Sequence, residues 1–326
     1  MRFSPAAIAG AAAALVLWCV QLPLARAEDW PTRPVRMLVG FGAGGGTDVL
    51  ARIVADRLSE ILGQQFVVEN KPGAGGTIAG GIAAKAPNDG YTALVVSTGH
   101  AVSAVTVRQV PYDPVASFAP VGIIGNSAYV VAVSKNSPVT DLKSLVRLVN
   151  NEPGRFNYAT LGQGATQHLI AEDLCQRTGM KAQHVSFRTT GEVITALLRG
   201  DVAFGMDLFH ALRGQVDAGD LRLIAVSTPE RWPAAPNVPA IAESNLPGFG
   251  YSGWYGLVFP AGTPRPIVDK LHKALQQVLI DEEVKKRFAG VGAIARLSTP
   301  EELSELIERD VKSFQQAAQK AGLEAK

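Results

Sequence analysis

The chain has 326 residues, of which 47% are hydrophobic and 18% charged, and its formal net charge is +2. This near balance of charge gives no reason to expect binding to nucleic acid or to an anionic membrane surface. A chain of this length buries a large core and corresponds to about two domains.

Residues 1–27 have the pattern of a secretory signal peptide. Arg2 supplies the positive start, an apolar run covers residues 6–17, and a small-residue cleavage motif ends at Ala27. The apolar run is too short for a membrane anchor. Removal of this segment, which holds Arg2 and Arg26 but no acidic residue, leaves 29 basic and 29 acidic residues. The sequence therefore predicts a periplasmic protein cleaved near Ala27.

Apolar runs alternate with amphipathic runs along the rest of the chain. Predicted strands, several of them apolar on both faces as in a parallel sheet, cover residues 35–39, 65–68, 92–96, 121–124, 129–133, 157–159, 181–185, 202–206 and 221–227. Predicted helices cover residues 48–62, 77–86, 141–150, 166–178, 192–199, 266–280 and 300–321. The alternation predicts the α/β class.

Two extended stretches divide the chain. One lies near residues 121–133, and the other, residues 251–260, follows a proline-rich connection. Two such crossings predict two lobes, each with a doubly wound sheet, and a ligand between them at strand carboxyl ends. The predicted boundaries are residues 28–126 with 252–326 for lobe 1, and residues 127–251 for lobe 2.

A glycine-rich turn follows the first predicted strand. Residues 35–48, VRMLVGFGAGGGTD, indicate a buried strand, a turn and a helix capped by Thr47 or Asp48. Such a turn leaves backbone N–H groups free to bind an oxyanion, and glycines let the anion approach closely. A second loop of this kind, KPGAGGT at residues 71–77, follows the next strand. The pair predicts a cradle for a small anion.

Two other interpretations of the first loop stay open. Gly40, Gly42 and Gly45 match the G-x-G-x-x-G dinucleotide fingerprint, and Glu69 lies about 20 residues further on, where the fingerprint places a ribose-binding acid. An exported protein is not expected to meet a nicotinamide cofactor, and Glu69 runs directly into the second glycine loop. The remaining interpretation is a tight turn with a structural role only. A P-loop is excluded, because no Gly-Lys-Ser/Thr follows the glycines.

Two further turns rich in hydrogen-bond donors follow predicted strands, at residues 97–100 (STGH) and 159–166 (ATLGQGAT). Their hydroxyl groups suit carboxylate oxygens and bridging waters, or else cap helices. Asp207 ends a predicted strand, where it either orients a ligand or caps a helix. Arg188 either clamps a carboxylate or is exposed to solvent.

The sequence contains no recognisable catalytic or metal-binding motif. Its five histidines form no H-x-x-x-H pair, and no G-x-S-x-G elbow occurs. Cys19 lies in the signal segment, so Cys175 has no disulfide partner and is expected to be buried as a small apolar residue. We therefore predict no metal, no cofactor and no enzymatic activity.

Short motifs run through the exported chain in a specific order and spacing. They are WPTRPVR at residues 30–36, GGTD at 45–48, VVENKPGAGG at 67–76, PNDGYT at 87–92, PYDP at 111–114, FAPV at 118–121, NYA at 157–159, His168, WYGL at 254–257 and PAGTP at 260–264. Together they resemble the substrate-binding proteins of tripartite tricarboxylate transporters, also called Bordetella-uptake-gene receptors, over nearly the whole exported chain.

The resemblance implies a two-lobed periplasmic binding fold without catalysis. Such proteins hold a carboxylate ligand between the lobes through backbone amides, hydroxyls and ordered waters, and deliver it to a membrane permease. We expect a monomer. The ligand loops implied by the resemblance, together with Arg188, give the predicted ligand-binding residues: Phe41, Gly44, Gly45, Gly46, Thr47, Asp48, Ala74, Gly75, Gly76, Ser97, Thr98, His100, Thr160, Gly162, Gly164, Ala165, Thr166, Arg188 and Asp207.

The chain departs from the family pattern at two places. Residues 42–44 are Gly-Ala-Gly where prolines are usual, which predicts a more open turn, and residues 186–191 (SFRTTG) replace a Pro-Tyr-Lys-Gly stretch. The second change adds Arg188 as a charged group. Two rival functions stay open: an exported ligand sensor that acts on a membrane signalling partner, and a dinucleotide-dependent oxidoreductase.

Overall fold

The computed structural model describes residues 30–323 and residue 325. The predicted signal peptide and its cleavage site near Ala27 lie outside this part of the chain. Within the described residues, no helix is both long enough and apolar enough to cross a membrane.

Strands and helices alternate along the described residues. The strands are β1 (Val35–Val39), β2 (Phe66–Asn70), β3 (Thr92–Ser97), β4 (Phe118–Ser134), β5 (Asn157–Leu161), β6 (Gln183–Phe187), β7 (Phe204–Leu208), β8 (Leu221–Val226), β9 (Ser252–Pro260) and β10 (Ile294–Ala295). The helices are α1 (Gly46–Leu62), α2 (Thr77–Ala84), α3 (Thr98–Thr106), α4 (Leu142–Asn151), α5 (Thr166–Thr178), α6 (Thr190–Arg199), α7 (Phe209–Asp217), α8 (Arg265–Ile280), α9 (Glu282–Gly290) and α10 (Pro300–Ala321). Single 3₁₀ turns lie at Ala74–Gly76 and Ile241–Ser244. The α/β class is confirmed.

The strands form one sheet in the order β2-β1-β3-β9-β4-β7-β5-β6, with β8 and β10 also paired to β4. β1 runs parallel to β2 and β3, and β5 runs parallel to β6 and β7. Between these parallel groups lie the antiparallel strands β9 and β4. Parallel neighbours bring their carboxyl ends to the same edge of the sheet, so the turns that follow them converge.

The long strand β4 runs from one half of the sheet into the other. Its residues up to Ala128 pair with β9, whereas those from Tyr129 onward pair with β7 and β8. We call the part with β1, β2, β3, β9 and β10 the first half, and the part with β5 to β8 the second half. The sequence predicts two strands here, residues 121–124 and 129–133, within one extended stretch. The structure keeps the segment extended by pairing Asn126 with Trp254 and Ile294, so the prediction of two separate strands is wrong.

The largest apolar core continues from the first half into the second. It contains Leu38 and Leu94 on one side and Leu169 and Phe204 on the other, with Phe314 of α10 packed into the same cluster. Helix α10 packs against α3, β4 and α5. The C-terminal helix therefore joins the halves in addition to the two crossings of the chain. The predicted lobe boundaries stay a prediction.

Three helices are absent from the sequence-based prediction. α3, α7 and α9 are only nine residues each, and all residues of α3 except two alanines have weaker helix propensity than alanine, leucine or glutamate. α3 is held in place by packing against α10 and against the 3₁₀ turn at Ala74–Gly76. Tertiary contacts, which no local pattern encodes, override propensity here.

Candidate functional site

A cavity of ≈ 910 Å³ lies where the two halves of the sheet meet. Its walls come from the turns after β1, β2, β3, β5 and β7, and from residues of β4 and β9 at the crossings. These turns lie together because parallel strands end at a common edge. The volume is in the range of small-molecule binding sites.

Most of the predicted ligand-binding residues line this cavity. They are Phe41, Gly44, Gly45, Gly46, Thr47, Ala74, Gly75, Ser97, Thr98, Gly162, Gly164, Ala165, Thr166 and Asp207. The structure thus brings together turns separated by more than 100 residues in the chain. Their contact with a ligand stays a prediction.

Asp48 does not line the cavity but holds the first glycine loop from behind. Its carboxylate accepts hydrogen bonds from the backbone amide of Gly44 at 2.9 Å, from Arg52 at 2.9 Å and from Asn70 at 2.8 Å. Burial alone would raise the pKa of Asp48, but these three donors together hold it below its ordinary value. Asn70 also donates to the carbonyl of Phe41 at 3.0 Å, so both ends of the loop are fixed.

The two glycine loops touch through their backbones. A Cβ atom on Gly40 would lie 2.6 Å from the Cα of Gly76, which leaves no room for any side chain at position 40. Gly76, a predicted ligand residue, therefore supports the first loop and is outside the lining of the cavity. This close approach keeps the two predicted anion-binding turns side by side.

The remaining three predicted residues also lie outside the lining. His100 Nε2 is 2.9 Å from the carbonyl oxygen of Pro114, and Thr160 Oγ1 is 2.7 Å from His184 Nε2. Both side chains are buried and have protein partners. Arg188 is exposed to solvent. A direct role for Arg188 in clamping a carboxylate stays a prediction.

Glu69, the candidate ribose-binding acid, is engaged by neighbouring basic groups. Its carboxylate accepts two hydrogen bonds from Arg36, at 2.8 and 3.0 Å, and lies 3.6 Å from Lys71 Nζ. The Arg36 guanidinium holds the pKa of Glu69 below its ordinary value. Glu69 is not among the residues that line the cavity, which removes the acid that the dinucleotide interpretation requires.

Five helices begin at the cavity. One of them, α6, starts at Thr190 and is capped by the Thr189 hydroxyl, and the other four have no side-chain cap. These are α1, α3, α5 and α7, with the N-cap residues Gly45, Ser97, Ala165 and Leu208. Among the helices that begin elsewhere, three are capped, by Asp141, Asp281 and Thr299, whereas α2 and α8 have no side-chain cap. Uncapped first turns present free N–H groups and the positive end of the helix dipole. The arrangement suits an anion.

The side chains around the cavity supply almost no charge. Among the described residues that line it there is no Lys or Arg, and Asp207 is the only carboxylate. Hydroxyl groups are frequent, including those of Thr47, Ser97, Thr98 and Thr166. The charge of a bound anion would therefore be balanced by backbone N–H groups and hydroxyls instead of a cationic side chain.

Asp207 lies inside β7 and ties together the starts of three helices. Its Oδ1 accepts from the Leu208 amide at 2.8 Å and from Gln167 Nε2 at 3.3 Å, and its Oδ2 accepts from Thr190 Oγ1 at 2.8 Å. Burial raises the pKa of Asp207 to about 6, although these three donors act in the opposite direction. The side chain therefore shapes the wall formed by α5, α6 and α7.

We expect replacement of Asp207 by asparagine to change how stability depends on pH. The folded protein retains the Asp207 proton up to about pH 6, whereas the unfolded chain loses it near 3.8. The contribution of Asp207 to the unfolding free energy is therefore fully present below pH 3.8, and it is lost as the pH rises through about 6. The unfolding free energy of Asp207→Asn minus that of the native protein should therefore rise by up to about 3 kcal/mol from about pH 4 to about pH 8.

Urea unfolding of both proteins at the two pH values measures this difference. A constant offset between the two unfolding free energies would contradict the raised pKa of Asp207.

The sequence analysis missed several large side chains in the cavity wall, namely Tyr129, Gln167, His210, Trp254 and Tyr255. Burial raises the pKa of Tyr129, and the nearby hydroxyls of Thr98 in the first half and Thr166 in the second half act in the opposite direction. Trp254 and Tyr255 belong to the WYGL motif, but within an apolar strand they read as core residues. The sequence indicated a role for Trp254 and Tyr255 only through their position in the extended stretch at residues 251–260.

Comparisons with known proteins give one consistent result. Residues 50–323 match the family described as "Tripartite tricarboxylate transporter family receptor". The solved structure of the periplasmic binding protein BugD is 32% identical, with a TM-score of 0.78 over 91% of this chain and 100% of that chain. Rpa4515 of R. palustris, solved with adipate, is 33% identical, with a TM-score of 0.82 and coverage of 91% and 100%. MatC (Rpa3494) from Rhodopseudomonas palustris, with bound malate, is 29% identical, with a TM-score of 0.77 and coverage of 88% and 99%.

Proposed function

The chain belongs to the family of tripartite tricarboxylate transporter receptors, and on that basis we propose that it is a periplasmic solute-binding protein for small carboxylates. The resemblance drawn from the motifs is confirmed, as is the two-lobed α/β fold of such proteins. Two similar structures hold dicarboxylates, adipate in one and malate in the other. The proposal includes no catalytic step.

The observation that supports this proposal most directly is the set of uncapped helix starts at one cavity. α1 and α3 approach it from the first half, and α5 and α7 from the second. A carboxylate between them accepts hydrogen bonds from N–H groups of both halves. Because these bonds form together only when the halves lie close, the ligand favours the closed arrangement. Hinge motion at the two crossings would then trap the ligand.

We further propose that the loaded protein, as a monomer, delivers its ligand to the membrane permease of a tripartite transporter. The family description names such a transporter as the partner of these receptors. In cells that lack the permease, uptake of the ligand should stop while the receptor still binds it. Continued uptake in the same cells would instead favour the sensor function.

A thermal-shift screen of carboxylates tests the binding proposal. At about 100 times its dissociation constant, a ligand adds about 2.7 kcal/mol to the unfolding free energy, which raises the melting temperature by several degrees. We expect this rise with malate, adipate or another small carboxylate, measured on protein purified after export.

The matched controls are the corresponding diamides, which have nearly the same shape but no negative charge. They should leave the melting temperature unchanged, because a neutral amide gains little from helix N-termini. An equal rise with a carboxylate and its diamide would contradict the proposed anion site.

A further inference from the structure

Helix α7 of the second half contacts the first half beside the cavity. The imidazole of His210 lies over Gly46, where a Cβ atom would be 2.7 Å from His210 Nε2. On the other side, a Cβ on Gly292 would lie 2.9 Å from both His210 Cβ and Phe209 Cδ1. We call Gly46 and Gly292 the glycine notch. His210 fits into it because neither position carries a side chain.

A second contact lies one helical turn further along α7. Arg213 Nη1 donates a hydrogen bond of 2.9 Å to the carbonyl oxygen of Ala289, at the C-terminal end of α9. Carbonyl groups at a helix C-terminus carry partial negative charge, so a guanidinium is well placed there. Arg213 also pairs with Asp217 within its own helix, at 3.3 Å.

Apolar packing accompanies these polar contacts. Ile294 of β10 packs against the core cluster of the second half that contains Phe209 and Leu212. The segment from Ala289 to Ile294 thus contacts α7 through a carbonyl group, a glycine and an aliphatic side chain. Contacts of three kinds at one place indicate a defined docking position.

This contact forms one wall of the cavity. His210 and Ala211 of α7 line it, and so do Gly290 and Val291 of the facing segment. Gly292 and Arg213 are not in the lining, so they act on a ligand only through the position of the two halves. Separation of the halves by hinge motion would withdraw His210 from the notch and break the Arg213 bond.

We propose that α7 and the glycine notch form a latch that holds the two halves closed and sets how long the ligand stays bound. The proposal rests on the proposed function for the nature of the ligand. All contacts of the latch are between protein groups, so the ligand-free protein is expected to populate the closed arrangement as well. A weaker latch lowers the fraction of closed protein and reduces affinity in the same proportion.

The substitution Gly292→Ala tests the latch. It places a methyl group 2.9 Å from His210 Cβ, and nothing at this position touches the cavity. The control is Gly63→Ala at the end of α1: both glycines have φ +68°, but Gly63 faces open space. The two variants place alanine at the same positive φ, and only Gly292→Ala obstructs the latch.

Two measurements follow for the protein purified after export. Small-angle X-ray scattering without ligand should give a larger radius of gyration for Gly292→Ala than for Gly63→Ala. With the best carboxylate of the thermal-shift screen, dissociation should be at least about tenfold faster for Gly292→Ala, while the association rate changes far less.

A second pair of variants examines the polar contact. Arg213→Ala removes the bond to Ala289 together with the ion pair inside α7, whereas Asp217→Ala removes only the ion pair. We expect dissociation to be several-fold faster in Arg213→Ala and unchanged in Asp217→Ala.

The outcomes separate this inference from the proposed function. If no carboxylate binds the native protein, the proposed function fails, and the scattering comparison still decides the latch. If a carboxylate binds, but Gly292→Ala matches Gly63→Ala in dissociation rate and radius, the latch is wrong and the proposed function stands.

Discussion

Carboxylate binding is expected to weaken by more than tenfold when Gly45 is replaced by leucine. Gly45 is the N-cap of α1 and lines the cavity. Its φ of −71° and ψ of 161° are extended backbone that leucine adopts, and its Cβ would lie 3.3 Å from the carbonyl oxygen of Gly42. The new side chain would therefore act by occupying the space in front of the first-turn N–H groups, where the anion is proposed to lie. Isothermal titration calorimetry with a carboxylate from the thermal-shift screen measures the loss.

The control for this experiment is Gly42→Leu in the same loop. Gly42 is outside the lining of the cavity, and a Cβ atom there would meet no atom within 4 Å. The two variants add the same side chain three residues apart, at one position that lines the cavity and at one that does not. Equal affinities in Gly45→Leu and the native protein would show that the anion binds elsewhere.

Replacement of Trp254 by alanine is expected to destabilise the protein by about 3–5 kcal/mol. Trp254 is 2% exposed and lies on β9 between the two halves. Its indole N–H donates a hydrogen bond of 2.7 Å to Asp310 of α10. Burial raises the pKa of Asp310, and the indole counteracts this. The substitution therefore leaves both a cavity in the core and a buried carboxyl group without its donor. Urea unfolding measures the loss.

A pair of phenylalanine substitutions separates the hydrogen bond from the packing. Trp254→Phe removes the N–H donor and should cost about 1–3 kcal/mol more than a similar change without a hydrogen bond. Trp232 provides that comparison, because it is buried and its Nε1 has no hydrogen-bond partner among the described protein groups. Equal losses in Trp254→Phe and Trp232→Phe would mean that the bond to Asp310 contributes nothing.

The strands and helices with strong local patterns could be predicted from the sequence. β1, α5 and α10 have the predicted bounds. For α10, the Thr299 cap and the proline at the first helical position mark its start. The glycine loops were also predicted as parts of one site, because glycine-rich turns after parallel strands converge on one edge of the sheet.

The parts of the site that were missed depend on contacts between distant segments. His210 lies on α7, a nine-residue helix whose start has no capping side chain, so no local signal places it beside Gly46. Tyr129 is the first residue of a predicted apolar strand, and only the pairing of β4 with β7 and β9 places it in the cavity wall. Asp48 was predicted to face the ligand, but Arg52 and Asn70 turn it toward the back of the loop.

Among single substitutions, only one to proline removes a main-chain N–H group, and this has a consequence for how such a protein diversifies. The donors at the starts of α1, α3, α5 and α7 are amides of the polypeptide itself. Aliphatic side chains such as Val102, Leu161 and Val291 form other parts of the same wall. Substitutions among these side chains would change the space for the rest of the solute. Its carboxylate would keep the same hydrogen bonds to backbone N–H groups. Single mutations of these side chains could then change which solute is bound without weakening the binding of its carboxylate.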